Sequence, residues 1–164
     1  MMRIGLISDT HGYLDPKVEK YFKECDEIWH LGDVGNIDVV KKLTKIKPVR
    51  GVYGNIDGQD IRNIFPEELK FKCEEVKVWL VHIGGYPNRY AKNIKKRIEF
   101  NSPDLFISGH SHILKVIYDK KLKLLHINPG AAGKSGFHQV KTLVRFTIDK
   151  KEIKDLEVIE LGPK

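Results

Sequence analysis

The chain has 164 residues, 41% hydrophobic and 31% charged, which predicts a single globular domain spanning 1–164 and excludes an intrinsically disordered chain. No apolar run reaches the ~18 residues of a membrane span, and the N-terminal MMRIGLISDTHG lacks the marks of a signal peptide. Two cysteines, Cys25 and Cys73, are too few for a disulfide framework, so a reduced, cytoplasmic protein that does not engage membranes is expected. The +7 net charge would suit a polyanion. Yet the densest basic cluster, Lys92, Lys95, Lys96 and Arg97, shares its stretch with Ile94 and Ile98 at helical spacing. That pattern reads as the solvated face of an amphipathic helix, with nucleic-acid contact as the alternative.

In chain order, Arg3–Ser8 is an apolar strand that stops at Asp9-Thr10-His11-Gly12. Asp15-Pro16 supplies an N-cap and a proline at the first helical position, and Val18, Tyr21 and Phe22 keep helical spacing. A second strand, Ile28–Leu31, ends at Gly32-Asp33. A helix with Ile37, Val40, Leu43 and Thr44 on one side follows, then strand Val49–Tyr53, ending at Gly54-Asn55. This alternation is the grammar of a parallel α/β sheet. Leu69–Cys73 and Val76–His82 read as a hairpin, and a helix is expected from about Asn88 to Phe100, ended by Ser102-Pro103. Strand Leu105–Ser108 stops at Gly109-His110. The rest, Leu114–Asp119, Leu122–Ile127, Thr142–Ile148 and Ile153–Glu160, reads as a meander.

The strand ends carry the chemistry. Asp9 and His11 follow the first strand, Asp33 the second, Asn55 the third, His82 the fifth, and His110 with His112 the sixth. In open α/β sheets ligands bind outside the carboxyl ends of the strands. Each residue alone has an ordinary explanation: Asp as a helix N-cap, Asn in a turn, His packed and hydrogen-bonded. One donor cluster at each strand end does not. The set exceeds the four ligands of one zinc and suits two adjacent metals sharing a carboxylate. Two divalent ions against Asp9 and Asp33 leave about two positive charges, enough to hold a hydroxide nucleophile and attract phosphate. Without thiolates, the N/O donor set favours manganese, iron, cobalt, nickel or zinc over a thiolate-type site.

Together, DTH at Asp9–His11, GD at Gly32-Asp33, GNID at Gly54–Asp57, His82 and GHSH at Gly109–His112 resemble the calcineurin-like metallophosphoesterase superfamily. The short length and NPG at Asn128–Gly130 resemble its small phosphodiesterase branch. The resemblance implies a four-layer α-β-β-α sandwich of two facing mixed sheets flanked by helices. It also implies a dinuclear phosphohydrolase, most simply a phosphodiesterase with a metal-bridging hydroxide. One metal would take Asp9, His11 and His112, and the other Asn55, His82 and His110, with Asp33 between them. Asp33, Asn55 and His82 would be catalytic.

Three features depart from the family pattern. Ile56 stands where many members place a histidine able to act as general acid, no arginine follows Gly32-Asp33 closely, and His82-Ile83-Gly84 lacks a second histidine. Arg89 is a candidate phosphate contact, or else a residue at the helix start. NPGAAGKS at Asn128–Ser135 imitates a P-loop, but Asn128 replaces its first glycine and no helical pattern follows. That loop is expected to pack beside the metals, with Lys134 a candidate anion contact. His30 and His126 read as strand residues, and His138 is unassigned. The expected partner is a small phosphoester, with a nucleotide or nucleic acid as further candidates and homo-oligomerisation left open. The competing reading is a non-catalytic protein-binding scaffold of the same fold, as in the retromer subunit of that branch.

Overall fold

The computed structural model describes residues 1–164. The first half lays down β1 (Met2–Ile7), α1 (Val18–Phe22), β2 (Glu27–His30), α2 (Ile37–Ile46) and β3 (Val49–Gly51). After α3 (Gln59–Arg62) come β4 (Glu68–Cys73), β5 (Val76–Val81), β6 (Gly85–Tyr86), β7 (Arg89–Tyr90), α4 (Ile94–Phe100) and β8 (Leu105–Ile107). The chain closes with β9 (Lys115–Asp119), β10 (Leu124–Asn128), β11 (Val140–Asp149) and β12 (Glu152–Pro163). These strands form two five-stranded sheets, β12-β11-β1-β2-β3 and β4-β5-β8-β10-β9, and β6-β7 is a small hairpin.

Three apolar clusters explain the layers. Ile4, Leu6, Trp29 and Leu31 from one sheet meet Val78, Leu80, Ile107 and Ile127 from the other, forming the seam between them. On the outer face of the first sheet, Val18 and Phe22 of α1, Val39, Val40 and Leu43 of α2 and Ile61 of α3 pack against Ile7 and Ile28. On the outer face of the second, Ile94 and Ile98 of α4 cover Trp79, Val81, Phe106 and Leu124. The result is the expected four-layer α-β-β-α sandwich of mixed sheets. β1, β2 and β3 run parallel, as do β5, β8 and β10, so their carboxyl ends emerge along one edge. No helix is long and apolar enough to cross a membrane.

Several expectations need correction. The helix expected from Asn88 begins only at Ile94, because Gly85, Asn88 and Asn93 all have positive φ and fold the preceding segment into the β6-β7 hairpin. The closing strands are not one meander. β9-β10 joins the second sheet and β11-β12 the first, with the Asn128–Gln139 segment crossing between them. Thr44 is exposed, its hydroxyl donating to the Lys41 carbonyl at 2.9 Å, and Val39 takes its place on the buried side of α2. The first helix starts later than Pro16, at Val18, although the Asp15 carboxylate still accepts the Lys17 N–H at 2.9 Å. Lys92, Lys95 and Lys96 are solvated as expected. Arg97 leaves that face to bond Glu68 at 2.6 Å and lie 4.7 Å over the Trp79 ring.

Candidate metal centre

Strand termini place the donors, and local backbone strain aims them. Asp9, His11, Asp33, His110 and His112 all occupy the left-handed region, with φ between 46° and 69°. An L-residue adopts that region at a cost of roughly 1–2 kcal/mol. Small neighbours make the geometry feasible: a Cβ on Gly54 would strike the Asp33 carboxylate, one on Gly109 would strike Ser8 and Asp9, and one on Gly32 would meet His82.

The structure brings the donors into two adjacent groups. The ligand atoms of Asp9, His11 and His112 lie within 4.8 Å of one another, as do those of Asp33, His82 and His110. Asn55 joins the second group, its Oδ1 lying 3.1 Å from His110 Nδ1. Asp33 Oδ2 stands between the groups, 3.5 Å from His11 Nε2 and 3.3 Å from His82 Nε2. Asp9 Oδ1 is 3.2 Å from His112 Nε2.

Each carboxylate has one oxygen tied and one free. Asp9 Oδ2 accepts from Ser8 Oγ at 2.6 Å and from the His110 N–H at 3.1 Å. Asp33 Oδ1 accepts the Ile56 N–H at 3.0 Å. By contrast Asp9 Oδ1, His11 Nε2 and His82 Nε2 are buried with no hydrogen-bond partner, a costly state that a cation would relieve. The tautomer of His82 follows from geometry. Its Nδ1 lies 2.6 Å from the Leu31 carbonyl, which can only accept, so the proton sits there and Nε2 presents a lone pair to the centre. Burial disfavours an imidazolium at His82, but the Asp33 and Asp9 carboxylates outweigh it and raise the pKa above that of a free histidine. For Asp33, burial is likewise overcome by His82 and the Ile56 N–H, which hold the carboxyl below its ordinary range. These oxygen and nitrogen donors fit divalent cations.

Residues around the donors support them, and His30 and His126 lie on β2 and β10, the strand positions that their sequence context predicts. Asp57, buried at the end of GNID, accepts from the N–H groups of Val34, Gly35 and Gly54, tying the Asp33 loop to the Asn55 loop. His30 accepts the Gly32 N–H at Nδ1, so its other nitrogen donates to Thr10, whose hydroxyl donates to Val34. Burial lowers the His30 pKa to about 4, keeping the ring neutral for that chain of bonds. Asn128 donates to the Gly109 carbonyl and to Ser111, steadying the segment of His110 and His112. His126 donates to the Phe106 carbonyl away from the donors.

The NPGAAGKS segment has no helix after it and packs on the centre, with Ala132 and Gly133 donating to the Ser8 and Asp9 carbonyls. His138 reaches Gly133 O at 2.7 Å and stacks edge-on against His112 at 5.2 Å. Lys134 lies 4.2 Å above the Tyr13 ring. Arg89 lines a different groove, with Lys95, Glu99 and Lys121, that contains none of the donors. It belongs to β7 rather than a helix start. Arg62 instead borders the centre, sharing a cleft with Asn55 and His82.

The family model of the calcineurin-like phosphoesterase superfamily domain matches residues 2–151. The chain belongs to that superfamily. A probable metallophosphoesterase of Methanothermobacter thermautotrophicus is 29% identical over 168 residues, spanning 98% of this chain and 94% of that protein. Among solved structures, an archaeal phosphodiesterase superimposes with a TM-score of 0.75 at 22% identity, covering 98% of this chain and 100% of that one. Zinc-complexed wild-type Vps29 from Entamoeba histolytica gives a TM-score of 0.76 at 16% identity, over 98% and 99% of the two chains. This superfamily member thus shares its sandwich with proteins of different names, and the donor geometry has to carry the functional argument.

Proposed function

We propose that the protein is a dinuclear metal-dependent phosphodiesterase. Asp9, His11 and His112 would hold one ion, Asn55, His82 and His110 the other, and Asp33 would bridge them. One observation carries this reading: the buried, unpartnered atoms Asp9 Oδ1, His11 Nε2 and His82 Nε2 face the same space as Asp33 Oδ2. When bound, two divalent ions supply Lewis acidity that lowers the pKa of a water and offsets phosphate charge. Ser8, the His110 N–H and the Ile56 N–H each occupy one carboxylate oxygen and leave the other for a cation. The Leu31 carbonyl fixes His82 in the ligand tautomer. Manganese is the leading candidate, with nickel, cobalt, iron and zinc as alternatives. Buried, unpaired Cys25 and Cys73, with thiol pKa values pushed up to about 11 by burial, suit a reduced, cytoplasmic setting.

The test is p-nitrophenol release from bis(p-nitrophenyl) phosphate after chelation and reconstitution with each metal. Activity lost on chelation and restored by metal is expected. Metal-loaded protein that turns over no phosphodiester, cyclic nucleotides included, would overturn the reading. It would favour the scaffold alternative, for which the exposed Val116, Ile117 and Tyr118 on edge strand β9 offer an apolar surface.

A further inference from the structure

Beside the candidate metal centre lies a cleft of about 240 Å³, lined by Tyr53, Asn55, Arg62, Glu67, His82 and Ile83 among others. Drug-sized pockets run to about 300–1,000 Å³, so this one has room for one arm of a diester and not both. Arg62 is anchored at its inner end. Its Nε donates to the Asp57 carbonyl at 2.8 Å, and its Cζ lies 4.3 Å over the Tyr53 ring. The carboxylate of the same Asp57 ties the loop of Asn55 to that of Asp33. The guanidinium is therefore held in register with the centre. It forms no ion pair and its terminal nitrogens bond nothing, which leaves a planar donor fork open to a ligand.

Glu67 shares the cleft and is likewise unpaired. One cation and one anion cancel, so the cleft is poorly suited to a second phosphate and better suited to a neutral arm with both acceptors and donors. A nucleoside has both: base carbonyls and ring nitrogens for an arginine fork, and a ribose diol of the kind a carboxylate accepts from. Ile83, 45% exposed, adds an apolar wall for the flat base.

Building on the phosphodiesterase reading, we infer that this cleft receives a nucleoside arm of the substrate, with Arg62 donating to the base and Glu67 accepting from the ribose hydroxyls. The substrate class is then a nucleoside phosphodiester, and Arg62 and Glu67 are its specificity residues.

The experiment compares bis(p-nitrophenyl) phosphate with the p-nitrophenyl esters of uridine and thymidine 5′-monophosphate on the metal-loaded full chain. The wild type should show a lower KM for the uridine ester than for the bis-aryl substrate. Arg62→Met should raise KM for both nucleoside esters roughly 10- to 100-fold more than for the bis-aryl ester, the range for one charge-assisted hydrogen bond. Glu67→Gln should narrow the preference for ribose over deoxyribose. Equal effects of Arg62→Met on all substrates, or none, would overturn the inference. If Arg62→Met does not fold, Arg62→Lys keeps the charge, loses the fork and carries the same expectation. If no diester is turned over, the phosphodiesterase reading has failed, and calorimetry with uridine 5′-monophosphate still decides the cleft. Binding weakened by Arg62→Met supports it; binding indifferent to Arg62, or absent in the wild type, refutes it.

Discussion

Expelling an alkoxide from a phosphodiester requires a proton, and Ile56 holds the position next to Asn55 without one to give. The structure makes this position a clean place to intervene. The Ile56 backbone is pinned, its N–H donating to Asp33 at 3.0 Å, while its side chain is 48% exposed and belongs to no core cluster. Ile56→His therefore removes little packing, and such surface changes ordinarily alter stability by about 0.5 kcal/mol or less. A positioned general acid contributes roughly 10²–10⁴-fold. A solvent-exposed ring is less rigidly held than a buried one, which points to the lower end, about 10²-fold, for substrates with alkyl leaving groups. Aryl leaving groups depart without full protonation and should gain far less. The assay is kcat/KM for alkyl- and aryl-leaving diesters in both proteins under one metal, with the pH profile of the variant recorded. The alkyl-to-aryl ratio should rise in Ile56→His, and a new limb should fall off as the introduced imidazolium loses its proton. An unchanged ratio in a folded, metal-loaded variant would refute the reasoning. A wild type indifferent to leaving-group pKa would do so directly.

Three further outcomes follow from the donor geometry. Asp33→Asn should lower metal stoichiometry and reduce turnover by at least about 10²-fold, with the fold retained because an amide oxygen can still accept the Ile56 N–H; near-normal turnover with two metals bound would contradict the bridge. His112→Ala should weaken mainly the ion shared with Asp9 and His11, and Asn55→Ala the other, as read by metal-resolved spectroscopy or anomalous scattering; both variants emptying the same site would contradict the division. Adding metal to chelated protein should raise the thermal midpoint in proportion to the logarithm of free metal, because it relieves orphaned Asp9, His11 and His82 atoms; an unmoved midpoint at saturation would count against metal binding to the folded state.

The fold was legible where local signals agreed with tertiary demand. Alternating strand and helix patterns through Tyr53 led to a parallel sheet, which β1, β2 and β3 form, and Ile94 and Ile98 marked the buried side of α4. It was illegible where pattern and backbone conflicted. Tyr90 and Ile94 have helix-compatible spacing, but Tyr90 pairs with Gly85 across a hairpin and packs on the outer cluster of the second sheet. Nor could periodicity assign β9-β10 and β11-β12 to different sheets. Both pairs are antiparallel hairpins in sequence, and only the crossing at Asn128–Gln139 separates them.

At the site, the proximity of the donors was readable because parallel strands deliver their carboxyl ends to one edge, so a polar residue after each apolar run is a statement about space as well as sequence. What supports those donors was not readable. Asp57 stands two residues from Asn55 and looks like part of a turn; that its carboxylate collects three N–H groups from two loops depends on a loop some twenty residues earlier. The same long-range dependence hid Arg62. It lies on the four-residue helix α3, which no pattern in the sequence marks, while Arg89, nearer to His82 in sequence, looks better placed and points into another groove. Donors that close a strand inherit their position from the sheet. Groups that tune or complement them come from whichever loop folds over, and a sequence carries that only through contacts it does not display.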